Sequence, residues 1–171
     1  MSNSKTTRFT AKYLARAAII AAIYVILTYL AGIWNLAYGP VQFRFSEALT
    51  VLPFLMPEAI PGLFVGCIVS NLLSPYGLLD LIVGSLATLI AAVCTARCRS
   101  RYLAPLPPVL SNAILVGAMI AWYEAGFGPG FPAAFAYNAL TVGAGEAVVC
   151  YVLGLPLIKV LEGRGKRQGI V

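Results

Sequence analysis

Residues 39–49, GPVQFRFSEAL, set Gln42, Arg44, Ser46 and Glu47 within six positions, and the chain on both sides of them is nearly all apolar. Asn71, Asp80, Asn138 and Glu146 interrupt later apolar runs in the same way. A carboxylate accepts two parallel N–H donors, a carboxamide both donates and accepts, and a guanidinium presents a rigid fork of donors. Together these groups suit the edge of a small, flat, polar molecule resembling guanine. Catalysis is poorly provided for, because histidine, the commonest general base, is absent. Cys67, Cys94, Cys98 and Cys150 lack further ligands at metal-binding spacing, and three of them fall inside apolar runs. Neither a metal nor a cofactor is expected. No G-x-x-x-x-G-K-[ST] loop occurs, and the tail EGRGKRQG lacks that spacing, so ATP is not bound in the P-loop manner.

The elements that must position these groups are membrane helices. Of the 171 residues 60% are hydrophobic and 11% charged, against about 25% charged in a soluble domain. With a mean hydropathy of +0.87, lipid must solvate most of the exterior. The net charge of +6 is gathered at Lys5–Arg16, Arg97–Arg101 and Lys159–Arg167. These clusters stand at the ends of apolar segments, where the positive-inside rule accounts for them better than nucleic-acid binding does. The polar N-terminus MSNSKTTRFTAKYLAR leads to no small-residue cleavage site, so the first apolar segment is expected to stay in the mature protein.

Crossing about 30 Å of hydrocarbon takes about 20 helical residues. Segments 13–34, 78–96, 106–123 and 132–161 meet or approach that length. The region 45–74 is too long for one helix and contains Pro53, Pro57 and Pro61, which predicts two short helices, 45–56 and 59–73, joined at MPEAIPG. Counting two helices there keeps all three basic clusters on one side; counting one would push Arg97–Arg101 outside. The expected fold is all-α, an integral membrane bundle of six transmembrane helices with both termini cytoplasmic. Residues 1–12 form an N-terminal segment, 13–162 the bundle, and 163–171 a basic tail.

On this topology Trp34, Arg44, Ser46, Glu47, Asn71, Asp80, Trp122, Tyr123, Glu124, Tyr137 and Asn138 lie at the outer end, with Glu146 about two turns deeper. A carboxylate near mid-membrane costs about 2.5–3.5 kcal/mol or more and stays there when it faces a cavity, a partner or a ligand. Plainer readings stand beside that one. Arg44 and Glu47 also fit an i, i+3 ion pair, and Asp80 a first-turn helix stabiliser. Trp34, Trp122 and Tyr123 also fit an interfacial belt, Asn71 and Asn138 interhelical hydrogen bonds, and Asn112 a tie between two helices. Glu58 and Glu124 read as solvated loop acids. In the first helix, ARAAIIAAIY holds two small-xxx-small pairs, Ala17 with Ala21 and Ala18 with Ala22; Gly62 and Gly66 repeat the spacing and read as internal packing.

GPVQFRFSEALTVLPFLMPEAIPGLFVGCIVSNLLSPYGLLDLIVGSLATL, LAPLPPVLSNAILVGA and GAGEAVVCYVLGLPL resemble segments of the QueT family, the substrate-binding S components of energy-coupling factor (ECF) transporters. The resemblance covers roughly residues 10–162. It implies a multi-pass protein of the bacterial cell membrane that takes up a queuosine precursor, a 7-deazaguanine base or queuine, through an outward site capped by a loop at about 35–44. It also implies partners: a membrane T component, docked on Ala17, Ala18, Ala21 and Ala22, and two ATPase subunits that carry the hydrolysis. Under that reading Glu47, Asp80 or Glu146 accepts the ring N–H and exocyclic amine, and Asn71 or Asn138 reads the carbonyl and ring nitrogen. Arg44 orients a carboxylate or meets the ligand carbonyl, and Tyr76, Tyr137 or Trp34 stacks on the ring. The competing expectation is an autonomous ion-coupled transporter with Glu146 and Asp80 as its coupling acids.

Overall fold

The computed structural model describes residues 10–37 and 43–167, with side chains described to residue 163. All regular secondary structure among the described residues is helical, with no strand, and six helical segments stand where the hydropathy and the prolines place them. They are α1 (Ala11–Ile33), a 3₁₀ segment (Phe45–Phe54), α2 (Ala59–Asn71), α3 (Leu78–Thr95), α4 (Leu106–Ala125) and α5, which starts at Phe131 and runs to Arg167. Four of them, α1, α3, α4 and α5, are long and apolar enough to cross a membrane; the 3₁₀ segment and α2 are shorter. Half of the cap expected at 35–44, residues 38–42 with Gln42 among them, lies outside the described residues, as do residues 1–9 and 168–171 of the two terminal segments.

The segment after the cap differs from the expected α-helix. Pro53 has no N–H to return to Leu49, and the Glu47 carbonyl is occupied by the Thr50 hydroxyl at 2.6 Å and the Cys150 thiol at 3.4 Å. At a rise of about 2.0 Å per residue, ten 3₁₀ residues reach about 20 Å, as far as the thirteen residues of α2. Two more departures are π-helical turns, Asn112–Val116 inside α4 and Val149–Gly154 inside α5.

Packing follows from small residues. A Cβ added to Gly62 would stand 2.6 Å from the Ala17 carbonyl oxygen, and one on Gly66 would stand 2.9 Å from the Tyr24 Cβ and 3.0 Å from the Ala21 oxygen. The two glycines thus bring α2 directly onto the backbone of α1, as their spacing suggests. Gly117 makes the same close approach to Ala139 between α4 and α5. On α3 the buried set Asp80, Gly84, Ser85, Ala87, Thr88, Ala91, Ala92 and Thr95 traces one helical stripe, and leucines and isoleucines such as Leu78, Ile82, Leu86 and Ile90 face outward.

The basic clusters converge at one end. Arg16 of α1 pairs with Glu58, in the turn before α2, at 2.6 Å, and Arg101 after α3 pairs with Glu162 near the end of α5 at 3.1 Å. Val51, Ala104 and Ile158, with Phe54 and Leu55, pack these turns together. Glu58 is therefore buried and paired, unlike the solvated acid its loop position suggests.

Candidate solute-binding site

The opposite half of the bundle holds a sealed polar interior. Arg44 enters it from the start of the 3₁₀ segment and is 6% exposed. Its Nε donates to the Ala37 carbonyl at 2.9 Å, its Nη1 to Asn71 Oδ1 at 3.3 Å and its Nη2 to Asp80 Oδ2 at 3.0 Å. Asn71 closes the ring by donating Nδ2 to the Asp80 carbonyl at 2.9 Å. The end of α2, the start of α3 and the re-entering chain are thus tied by one guanidinium. The i, i+3 pairing of Arg44 with Glu47 is replaced by this salt bridge to Asp80, because Glu47 takes its hydrogen bond from the Tyr24 hydroxyl on α1.

Deeper in the bundle, Glu146 of α5 accepts from Asn112 Nδ2 at 2.8 Å and shares the single hydrogen of the Cys150 thiol, 3.7 Å away, with the Glu47 carbonyl. Asn112 is the interhelical tie its position in α4 suggests. The carboxyl groups of Glu47 and Glu146 meet each other. An ionised carboxylate only accepts, so this contact is complete only when a proton or an incoming donor lies between them. In keeping with that, Glu47 Oε2 is buried without a donor, as are Asp80 Oδ1 and the Ser85 hydroxyl. Buried acceptors left open are rare in folded proteins and each calls for a cause. Gly84 makes room for one of them: a Cβ there would collide with Asp80 Oδ1 and stand 2.8 Å from Asn71 Nδ2.

Of the nine residues expected to bind solute, Arg44, Glu47, Asn71, Asp80 and Glu146 come together in this interior. Tyr76 stands at its rim in the turn between α2 and α3, half-buried, with its ring edge-on to Tyr123 at 5.2 Å. Burial pushes the Tyr76 phenol up, and the nearby charges of Glu124 and Asp80 add to that. Asn138 is buried but turns to Glu124, donating at 2.9 Å. Glu124 is accordingly exposed yet engaged. Tyr137 is 58% exposed on the outer face of α5, away from the interior. Trp34 is 63% exposed and touches Phe45 edge-on at 6.4 Å. An open apolar groove of about 260 Å³, lined by Leu79, Val83, Leu115, Trp122 and Phe131 among others, lies beside α3 and α4 and contains none of the polar set.

Sequence reasoning passed over Tyr24, Thr28, Ser85 and Cys150. Tyr24 is fully buried and nine residues before Ile33, about 14 Å inside the span. A tyrosine so far from the interface, where tyrosines collect, was the available signal. Thr28 donates to Ser46 at 2.7 Å and joins the same layer.

The four docking alanines divide. Ala17 is buried and Ala21 half-buried against α2, whereas Ala18 and Ala22 are exposed.

Four helices long and apolar enough to cross a membrane, around a buried and incompletely satisfied polar centre, are the architecture of a multi-pass membrane protein. The family model described as QueT transporter matches residues 14–163, and the chain belongs to that family of transporters. A curated relative, the Queuosine precursor transporter QueT of Lactococcus lactis subsp. cremoris (strain MG1363), is 47% identical over 73 residues. That stretch is 43% of this chain and 43% of the relative, so the match spans less than half of either. No solved structure matches the chain.

Proposed function

We propose that the chain is the substrate-binding S component of an ECF transporter and captures a queuosine precursor, a 7-deazaguanine base or queuine. The observation that carries this reading is the set of open acceptors, Glu47 Oε2 and Asp80 Oδ1, held beside the fixed fork of Arg44 and the amide of Asn71. A guanine-like edge presents adjacent ring N–H and amine donors with a carbonyl acceptor next to them, and this set answers both. The name of the lactococcal relative points to the same solute class.

The bundle crosses the bacterial cell membrane six times in this reading, the 3₁₀ segment and α2 included, with both termini in the cytoplasm. The meeting of Arg16, Arg101 and their acidic partners at one end supports that orientation. Short crossings persist where neighbouring protein covers their ends. The chain has no P-loop, so ATP hydrolysis falls to two partner subunits, coupled through a membrane T component. Calorimetry with the purified chain and 7-deazaguanine bases tests the capture step: binding at micromolar concentration or tighter is expected, and no binding by any of them refutes it.

Docking to the T component falls to the exposed members of the alanine stripe, Ala18 and Ala22. Ala22→Leu is expected to leave solute binding to the isolated chain intact while lowering uptake in cells by about tenfold or more, as a lost close helix contact would. Unchanged uptake would move the docking face elsewhere. The contact between Glu47 and Glu146 favours a second reading, an autonomous ion-coupled carrier. Gradient-driven flux into liposomes holding this chain alone would decide for it.

A further inference from the structure

The charges of the sealed interior do not balance. Glu47 is 1%, Asp80 0% and Glu146 4% exposed, against the single guanidinium of Arg44. Arg44 and Asp80 neutralise one another at 3.0 Å. The hydrogen-bond donors to Glu47 and Glu146 are neutral: the Tyr24 hydroxyl, the Asn112 amide and the Cys150 thiol. Elsewhere among the described residues, Arg16 and Arg101 are paired at the far end, and Lys12, Arg97, Arg99 and Lys159 are exposed. A buried carboxylate persists when a cation or several donors meet it. The interior therefore has a place for one more positive charge, between two carboxyl groups that meet with only acceptor atoms.

We propose that the solute supplies this charge: the site selects a deazapurine bearing a protonated amine, and the ammonium group sits between Glu47 and Glu146. The proposal rests on the capture of a deazapurine argued above and narrows it. An ammonium has three donors and no acceptor, so one group can satisfy Glu47 Oε2 and the Glu146 carboxylate together while cancelling one of the two excess negative charges, the other being removed by a proton kept on the pair. A nitrile at the same place is an acceptor facing acceptors. It would leave both carboxyls as they are and lose its own hydration, which makes it the disfavoured substituent. With Glu47 Oε2 taken by the ammonium, the ring falls to the Arg44–Asn71–Asp80 layer, where the open Asp80 Oδ1 alone receives its N–H edge, with Tyr76 at the rim.

The test compares two probes on the full chain in detergent or nanodiscs at neutral pH: 7-aminomethyl-7-deazaguanine, a cation, and 7-cyano-7-deazaguanine, which is neutral. Titration calorimetry is expected to show the cation binding at least about tenfold tighter, the scale on which unpaired buried charges discriminate. Glu146→Gln is expected to weaken the cation by about tenfold or more and the neutral base by less, so that the preference shrinks; Glu47→Gln should act in the same direction. The comparison on the unaltered chain needs no variant to fold. Equal affinities, or a preference for the nitrile, would overturn the charge proposal and leave deazapurine capture standing. Failure of both bases, and of queuine in the same titration, would overturn the capture reading and this proposal with it.

Discussion

Asp80→Ala is expected to destabilise the protein by about 3–5 kcal/mol, because it strands the Arg44 guanidinium without its counter-charge in an interior where both side chains are almost fully excluded from solvent. For a chain of this size that corresponds to a fall of roughly 6–20 °C in the unfolding midpoint, read by differential scanning fluorimetry in detergent. The loss does not equal the worth of the salt bridge. Most of it is the penalty of a buried charge left alone, so removing both partners should cost much less. Arg44→Leu combined with Asp80→Leu is expected to recover most of the lost stability while abolishing solute binding. If Asp80→Ala unfolded at the temperature of the unaltered protein, Arg44 would have to be reaching water, and the sealed layer described here would be wrong.

Gly62→Leu is the second large effect. The first carbon of the new side chain would stand 2.6 Å from the Ala17 carbonyl oxygen and 3.1 Å from the Ile20 Cβ, closer than real contacts allow to a backbone that cannot swing aside. The helices α1 and α2 must separate. In lipid nothing apolar drives them back together, since acyl chains solvate leucine as well as another helix does; close dispersion contact holds them. Overpacking of a dense core costs about 1–3 kcal/mol, and a whole leucine on a backbone contact belongs at or above the top of that range. The displacement also carries Tyr24 away from Glu47 and Arg16 away from Glu58, so affinity for solute should fall along with stability. Gly32→Ala provides the comparison: a Cβ there has nothing within 4 Å, and the variant should unfold within about 1 kcal/mol of the parent. Equal midpoints for Gly62→Leu and Gly32→Ala would refute the close approach.

What could be read from the sequence was whatever proline, hydropathy and helix length control. The prolines at 53, 57 and 61 divide the region 45–74 where the structure divides it, and the four long spans begin and end within a few residues of their expected bounds. The buried acids were legible because an ionisable group inside an apolar run needs a reason. Direction was less legible than depth. Tyr137 and Asn138 are neighbours in sequence, yet one faces outward and the other inward, and the helical phase that decides this depends on packing across α4 and α5. Pairing was illegible at short range: Arg44 sits three residues from Glu47 but bonds to Asp80, thirty-six residues on, because Arg44 stands in extended backbone ahead of the 3₁₀ segment and Glu47 is engaged by Tyr24. The docking stripe read as one face because alternate alanines look alike, and the structure separates it into a half that meets α2 and a half that does not.

The π-helical turn in α4 bears on the placing of two bonds far apart along that helix. Asn112 reaches Glu146 and Glu124 receives Asn138, so two residues twelve apart must both look toward α5. Twelve steps of about 100° leave an angular mismatch of about 120°, a third of the way round the cylinder. The surplus residue in Asn112–Val116 removes one step, and eleven steps close three turns to within about 20°. One additional amino acid therefore acts as a phase corrector, and deleting it would point the two ends of α4 toward different neighbours.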